Sequence, residues 1–182
     1  ATALLTLLCF LGTAAQCLGV SDFVKSTLSQ GNALYLNRDY EGAKAKYLEA
    51  IGMDAAYATA QSNLGLTYAR LGDFPNALAS VNQAVTLEPS DKRHRPKLGK
   101  VQAMQSLYSD AVTSFTAAIS VDANYAKAYY DRGWCYDAWG DTLAGAERSA
   151  KYDSAVADYA VAVQKDPNYA KAAMGLAITK AK

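Results

Sequence analysis

The chain has 182 residues, 51% of them hydrophobic and 19% charged, with a formal net charge of +1. That length supports one domain with a sizeable core. The balanced charge removes the basic excess that phosphate-tracking proteins show on one face, so nucleic acid is not an expected partner. The three cysteines, Cys9, Cys17 and Cys135, supply no disulfide framework and leave the redox compartment open. No Asn-x-Ser/Thr acceptor for N-glycosylation is present.

Residues 1–20, ATALLTLLCFLGTAAQCLGV, carry no charge, and Leu4, Leu8, Leu11, Ala15 and Leu18 fall on a 4–3–4–3 helical spacing. Three readings are open. One is a secretory signal segment, with an apolar core from Leu4 to Leu11 followed by small residues, although no initiating Met or basic flank precedes it. Another is a membrane anchor, for which about 20 apolar residues suffice. The third is a helix buried against protein. The first two favour an extracytoplasmic location, the third a cytoplasmic one. Gly19 is predicted to end this helix, and Ser21-Asp22 to cap the next.

From there the chain repeats itself. Gly31, Gly65, Gly99 and Gly133 stand 34 residues apart, and Ala43, Ala77 and Ala111 follow at a constant offset of twelve. A bulky place recurs at Tyr47, Val81, Phe115 and Tyr159, and a small one at Ala50, Ala84, Ala118 and Ala162. Each unit therefore reads as two short helices over 24–57, 58–91, 92–125 and 126–169, within a repeat domain spanning 21–182. The inter-helix turns are predicted at Asn37–Tyr40 and at Gly72-Asp73, and Pro89 and Pro167 stop second helices because they have no amide proton. Pro96 is expected to delay the first helix of the third unit, since proline is comfortable only in a first turn. In the fourth unit about ten residues, Thr142 to Lys151, are inserted. Their helix-forming composition predicts extra helical turns with Gly145 as a pivot. Residues 170–182 have the phase of a first helix with no second.

The run Leu64, Gly65, Tyr68, Ala77, Ala84 and Pro89 resembles the tetratricopeptide family, and the likeness extends over about Val24 to Lys182. The resemblance implies an all-α, right-handed superhelical solenoid of four hairpins, with an extra apolar helix before it and a half-repeat helix after it. It further implies a concave groove lined by first helices that holds a protein or peptide. The family's groove places fall on Asn32 and Tyr35, on Asn63 and Leu66, on Arg93, Lys97 and Lys100, and on Tyr130, Asp131, Trp134 and Asp137. A subset, Asn32, Asn63, Arg93 and Lys97, matches four of the five places with which tetratricopeptide co-chaperones clamp the C-terminal carboxylates of chaperones. Leu28 stands where the fifth, a lysine, belongs.

No catalytic constellation is present. His94, the sole histidine, lies in a basic run without cysteine or carboxylate at ligand spacing and reads as a surface residue. No phosphate-binding glycine loop, HExxH or nucleophile elbow occurs, so neither enzyme activity nor a metal or cofactor is expected. The two ends invite self-assembly. An apolar head carrying Leu4, Leu8, Leu11 and Leu18 could supply the second helix that the tail, with Met174, Leu176 and Ile178, lacks. Head-to-tail stacking of copies would then propagate into a filament unless it closed a ring.

Overall fold

A computed structural model describes residues 14–182, with side chains from Ser21 onward. Leu4, Leu8 and Leu11 lie outside the described residues, as does the side chain of Leu18. Among the described residues there are helices and no strands. The chain divides into two compact units, Ala1–Pro89 and Ser90–Lys182. The first contains α1 (Ala14–Leu36), α2 (Tyr40–Met53), α3 (Ala58–Arg70) and α4 (Phe74–Leu87). The second contains α5 (Arg95–Met104), α6 (Tyr108–Val121), α7 (Ala126–Gly140), α8 (Gly145–Lys165) and α9 (Ala170–Lys180).

Within the first unit, α1 with α2 and α3 with α4 form antiparallel hairpins. The turns are chemically specified. The Asp39 side chain accepts a hydrogen bond from the Gly42 amide at 2.9 Å, and Asp73 accepts from the Asn76 amide at 3.2 Å, so each caps the helix that follows. Gly72, at φ 83°, takes the left-handed turn that lets α4 double back. The core gathers Val24, Leu28, Ala43, Tyr47, Ala50, Ala60 and Leu64. One correction to the sequence reading concerns the start. Helix α1 runs unbroken through Gly19 and Ser21-Asp22, and Asp22 pairs with Lys25 at 3.8 Å instead of starting a helix. A mid-helix glycine costs about 1 kcal/mol relative to alanine, too little to end a helix whose following turns pack against α2 and α3.

In the second unit Ala103, Ala111, Phe115 and Cys135 are buried together, with Tyr108 and Val112 packed against them. The recurring glycines admit the bulky residue of the partner helix. Gly99 lies against the Phe115 ring and Gly133 against Tyr159, as Gly31 does against Tyr47 in the first unit. Arg132 of α7 donates to Asp158 of α8 through Nε and Nη2, both at 2.7 Å, and to the Thr116 hydroxyl at 2.9 Å. Burial pushes the Cys135 thiol up to about 12.

The inserted residues lengthen α8 at its N-terminal end. Helix α8 begins at Gly145, so this glycine, at φ 56°, opens the helix and is not a pivot within it. The extra turns are fastened to the end of α7. Lys151 Nζ lies 3.7 Å from the Trp139 ring centroid, and the Tyr152 hydroxyl donates to Asp141 at 2.7 Å. A second correction concerns His94, which is only 1% exposed. It occupies the N-cap place of α5, with Pro96 in the first turn, and the turn before the helix brings Asp91 to 3.7 Å from its Nε2. Among the described residues no helix is long and apolar enough to cross a membrane.

Candidate peptide-binding surfaces

The four groove residues expected in the first unit come together. Asn32, Tyr35, Asn63 and Leu66, joined by Leu36 and Tyr47, line one pocket of about 260 Å³ between α1 and α3. Its polar floor is already engaged, because Asn32 Oδ1 accepts from the Tyr47 hydroxyl and from Asn63 Nδ2, each at 2.8 Å. The Tyr47 hydroxyl, pushed up to about 12 chiefly by burial, stays protonated and donating at neutral pH. Leu28 is buried in the core and brings no charge to this pocket. Tyr35 is held by Arg70, whose Nε donates to its hydroxyl at 3.3 Å.

In the second unit Lys100 of α5 and Lys127 of α7 meet at one carboxylate of α7. Lys100 Nζ lies 3.1 Å from Asp131, and Lys127 Nζ lies 3.3 Å from the same carboxylate, which is almost fully buried. Burial lowers the Lys100 ammonium, opposed by its attraction to Asp131. For Lys127 burial is again the largest single influence, but attraction to Asp131 together with hydrogen bonding exceeds it and raises the ammonium. Lys97, one turn from Lys100 on α5, is pushed down to about 8 by burial, with repulsion from Arg93 and Lys100 adding to it. Trp134 is 43% exposed on α7. Below pH about 8 three ammonium groups lie along α5 and α7, Lys100 and Lys127 on Asp131 and Lys97 attracted by Asp91.

Three of the expected groove residues are engaged elsewhere. Arg93 precedes α5 and its guanidinium grips Asp91, with Nε at 3.0 and 2.9 Å from the two oxygens, holding that carboxyl well below the usual carboxylate range. Pro96 is the reason, since it postpones the helix that would have carried Arg93. Tyr130 packs against Tyr169 and Tyr159 at centroid distances of 5.0 and 5.8 Å. Asp137 accepts from Thr179 Oγ1 at 3.1 Å and Lys182 Nζ at 3.0 Å, tying α7 to α9. Sequence reading passed over Lys127, although its i, i+4 spacing to Asp131 was visible. Nothing in the spacing announced the Tyr47 hydroxyl at Asn32.

Helix α9 presents a bare stripe. Ala170, Met174, Ala177 and Ala181 are exposed, and in register they correspond to Ala58, Ser62, Gly65 and Ala69 of α3, all of which are buried, Gly65 against Ala77 and Val81 of α4. Met174 is 60% and Ile178 53% exposed, while Leu176 is half-buried.

Helix hairpins whose glycines seat the aromatic or branched residue of the second helix define an all-α repeat protein. Part of the chain matches a known repeat family. Residues 28–92 match the model described as "Tetratricopeptide repeat". DnaJ homolog subfamily C member 7 of Homo sapiens is 34% identical over 99 residues, covering 54% of this chain and 20% of that protein. Hsp70-Hsp90 organizing protein 1 of Glycine max is 28% identical over 95 residues, covering 52% of this chain and 17% of that protein. Among solved structures, MamA superposes with a TM-score of 0.61 at 22% identity, covering 83% of this chain and 82% of that one. PilF of Pseudomonas aeruginosa gives 0.70 at 17% identity, covering 88% and 69%. These likenesses show the fold. The tetratricopeptide-repeat match covers residues 28–92, and the chain spans about a fifth of the length of the curated relatives it matches.

Proposed function

We propose that this chain is a non-catalytic scaffold that holds a protein or peptide partner on the surfaces of its first helices. The observation that carries the reading is the set of cations Lys97, Lys100 and Lys127, the last two on Asp131, with Trp134 exposed one turn along α7 from that aspartate, which suits an acidic segment with an aromatic or aliphatic neighbour. With Lys97→Ala and Trp134→Ala combined, capture of a fluorescent acidic peptide is expected to weaken about tenfold, as two interface truncations of this kind do. Helical content should stay unchanged. The affinity also carries a pH signature. Lys97 is charged below about 8 and neutral above it, so binding of the acidic peptide should fall as pH rises from 7 to 9, and Lys97→Met should flatten that fall. Binding that is equally tight in the double variant and indifferent to pH over that range would reject the reading.

The co-chaperone version draws on similarity to the Hsp70-Hsp90 organizing protein. Its geometry here is thinner, because Leu28 is buried, Arg93 is held by Asp91 and Asn32 Oδ1 is already twice engaged. Titration with a chaperone C-terminal peptide separates the two versions: no saturation by about 100 μM, far above the specific micromolar range, excludes the clamp.

A second reading concerns the stripe on α9. Its correspondence with a buried face of α3 suits a docked helix, and head-to-tail association of copies would supply one. Met174→Glu with Ile178→Lys is then expected to turn any filament or oligomer seen by electron microscopy of the full chain into single particles. Assemblies that survive the double change, or full-length particles that are monomeric without it, refute this reading.

A further inference from the structure

We propose that the cavity between the turn before α7 and the turn joining α8 to α9 binds an oligophosphate chain, held by Lys127, Lys165 and Lys171 and by the hydroxyls of Tyr125 and Tyr169. The inference goes beyond the scaffold reading and does not rest on it: Lys127 belongs to both, Lys165 and Lys171 to this cavity alone.

The sequence builds the place twice. Asp122–Lys127 and Asp166–Lys171 both read Asp-x-Asn-Tyr-Ala-Lys, whereas the corresponding stretch of the first unit, Asp54–Thr59, carries neither the asparagine nor the lysine. The two copies take one form. Each aspartate accepts from the amide two residues on, Asp122 from Asn124 at 2.9 Å and Asp166 from Asn168 at 3.1 Å. Each tyrosine then stands at an N-cap with nearly the same backbone angles, φ -76° and ψ 83° for Tyr125 and φ -77° and ψ 78° for Tyr169, so the lysine falls on the second residue of the helix that follows. Together the copies line a cavity of about 670 Å³, within the roughly 300–1,000 Å³ of small-molecule sites.

The cations of the lining have charge to offer. Lys165 Nζ donates to the Asn124 amide oxygen at 2.9 Å, a neutral acceptor, and Lys171 has no hydrogen bond or ion pair among the described residues. Lys127 shares Asp131 with Lys100. Of the other nearby carboxylates, Asp122 holds Lys92 at 2.6 Å and attracts Lys165 from farther off, and Asp166 in the lining takes the Asn168 amide. Burial raises the phenols of Tyr125 and Tyr169, so both stay protonated and able to donate.

These features choose among anions. A single carboxylate satisfies one ammonium group and leaves most of the cavity unfilled. A chain of phosphates carries charge and acceptor oxygens along its length, so it meets separated cations at once. Lysines act on phosphate as point charges, and no arginine, whose planar fork suits a carboxylate, is among the described residues of the lining.

The test uses the full chain, isotopically labelled, in magnesium-free buffer with sodium tripolyphosphate, adenosine triphosphate and inorganic phosphate as probes. Tripolyphosphate is expected to shift the backbone amide signals of residues 124–127 and 165–171 with a Kd of about 100 μM at low salt, and inorganic phosphate to bind at least about tenfold more weakly. Raising the salt from about 50 to 300 mM should weaken binding severalfold, since the lysines are solvent-exposed. Lys165→Gln with Lys171→Gln should cost about fivefold in affinity, as the loss of two exposed charge contacts does, and leave thermal unfolding unchanged. Tighter binding of adenosine triphosphate than of tripolyphosphate would assign the chain to a nucleotide, equal binding to a free polyanion. No saturation by about 5 mM, or equal affinity in the double variant, overturns the proposal. The same double variant should still capture the acidic peptide that Lys97 and Trp134 serve, so failure of either idea is seen apart from the other.

Discussion

Replacing Arg132 with alanine is expected to destabilise the second unit by about 3 kcal/mol, the usual cost of removing one partner from a buried ion pair. The Asp158 carboxylate is nearly buried and takes both of its charge-assisted bonds from Arg132, at 2.7 Å each, so deleting the guanidinium leaves an anion with neither water nor counter-charge. The same change strips the Thr116 hydroxyl of its donor and loosens the contact that joins α6 to α7 and α8. Much of the loss belongs to the orphaned charge and not to the worth of the pair. Replacing both residues, Arg132→Met with Asp158→Leu, should therefore recover most of the stability. Urea unfolding of the three variants checks this. A double variant no more stable than the single would show that the interaction is favourable in its own right.

Gly65→Ala is expected to cost about 2 kcal/mol, in the range of overpacked cores. A methyl group there would meet the Ala77 carbonyl oxygen at 2.8 Å and the Val81 amide nitrogen at 3.1 Å, as well as the Val81 side chain. Because the obstacle is backbone, relief requires α3 and α4 to move apart, and no side chain can turn aside to spare them. Gly52 supplies the contrast. An added methyl group at that place in α2 meets nothing within 4 Å, so Gly52→Ala should stabilise by up to about 1 kcal/mol through helix propensity alone. Thermal unfolding of both variants is sufficient, and loss of stability at Gly52 equal to that at Gly65 would refute the steric account.

The period of 34 was legible because it records a steric requirement. Wherever a second helix presents Tyr47, Val81, Phe115 or Tyr159, the facing helix must offer glycine, and that pairing appears in the sequence as spacing. The turns at Asp39 and Asp73 were readable for a similar reason, since local capping chemistry is written within four residues. Burial of His94 was not readable, because it follows from how the Asp91–His94 turn packs in the fold and not from any pattern along the chain. Continuity of α1 was missed because packing overrode two modest local stop signals. The groove residues fared unevenly. Asn32, Tyr35, Asn63 and Leu66 meet as register requires, whereas Arg93, Tyr130 and Asp137 are drawn off by neighbours that register does not specify.

Cys135 has a consequence for how the second unit moves. Its sulfur is wholly covered, 3.7 Å from the Tyr108 carbonyl, and with its thiol pushed up to about 12 scarcely any thiolate exists at neutral pH. A thiol in that state is chemically silent to alkylating reagents until α7 parts from α6. Its labelling rate at neutral pH is thus a clock for that opening: when reclosure outpaces reaction, the rate measures the fraction of molecules open at any instant, and when reagent is abundant, it measures how often they open.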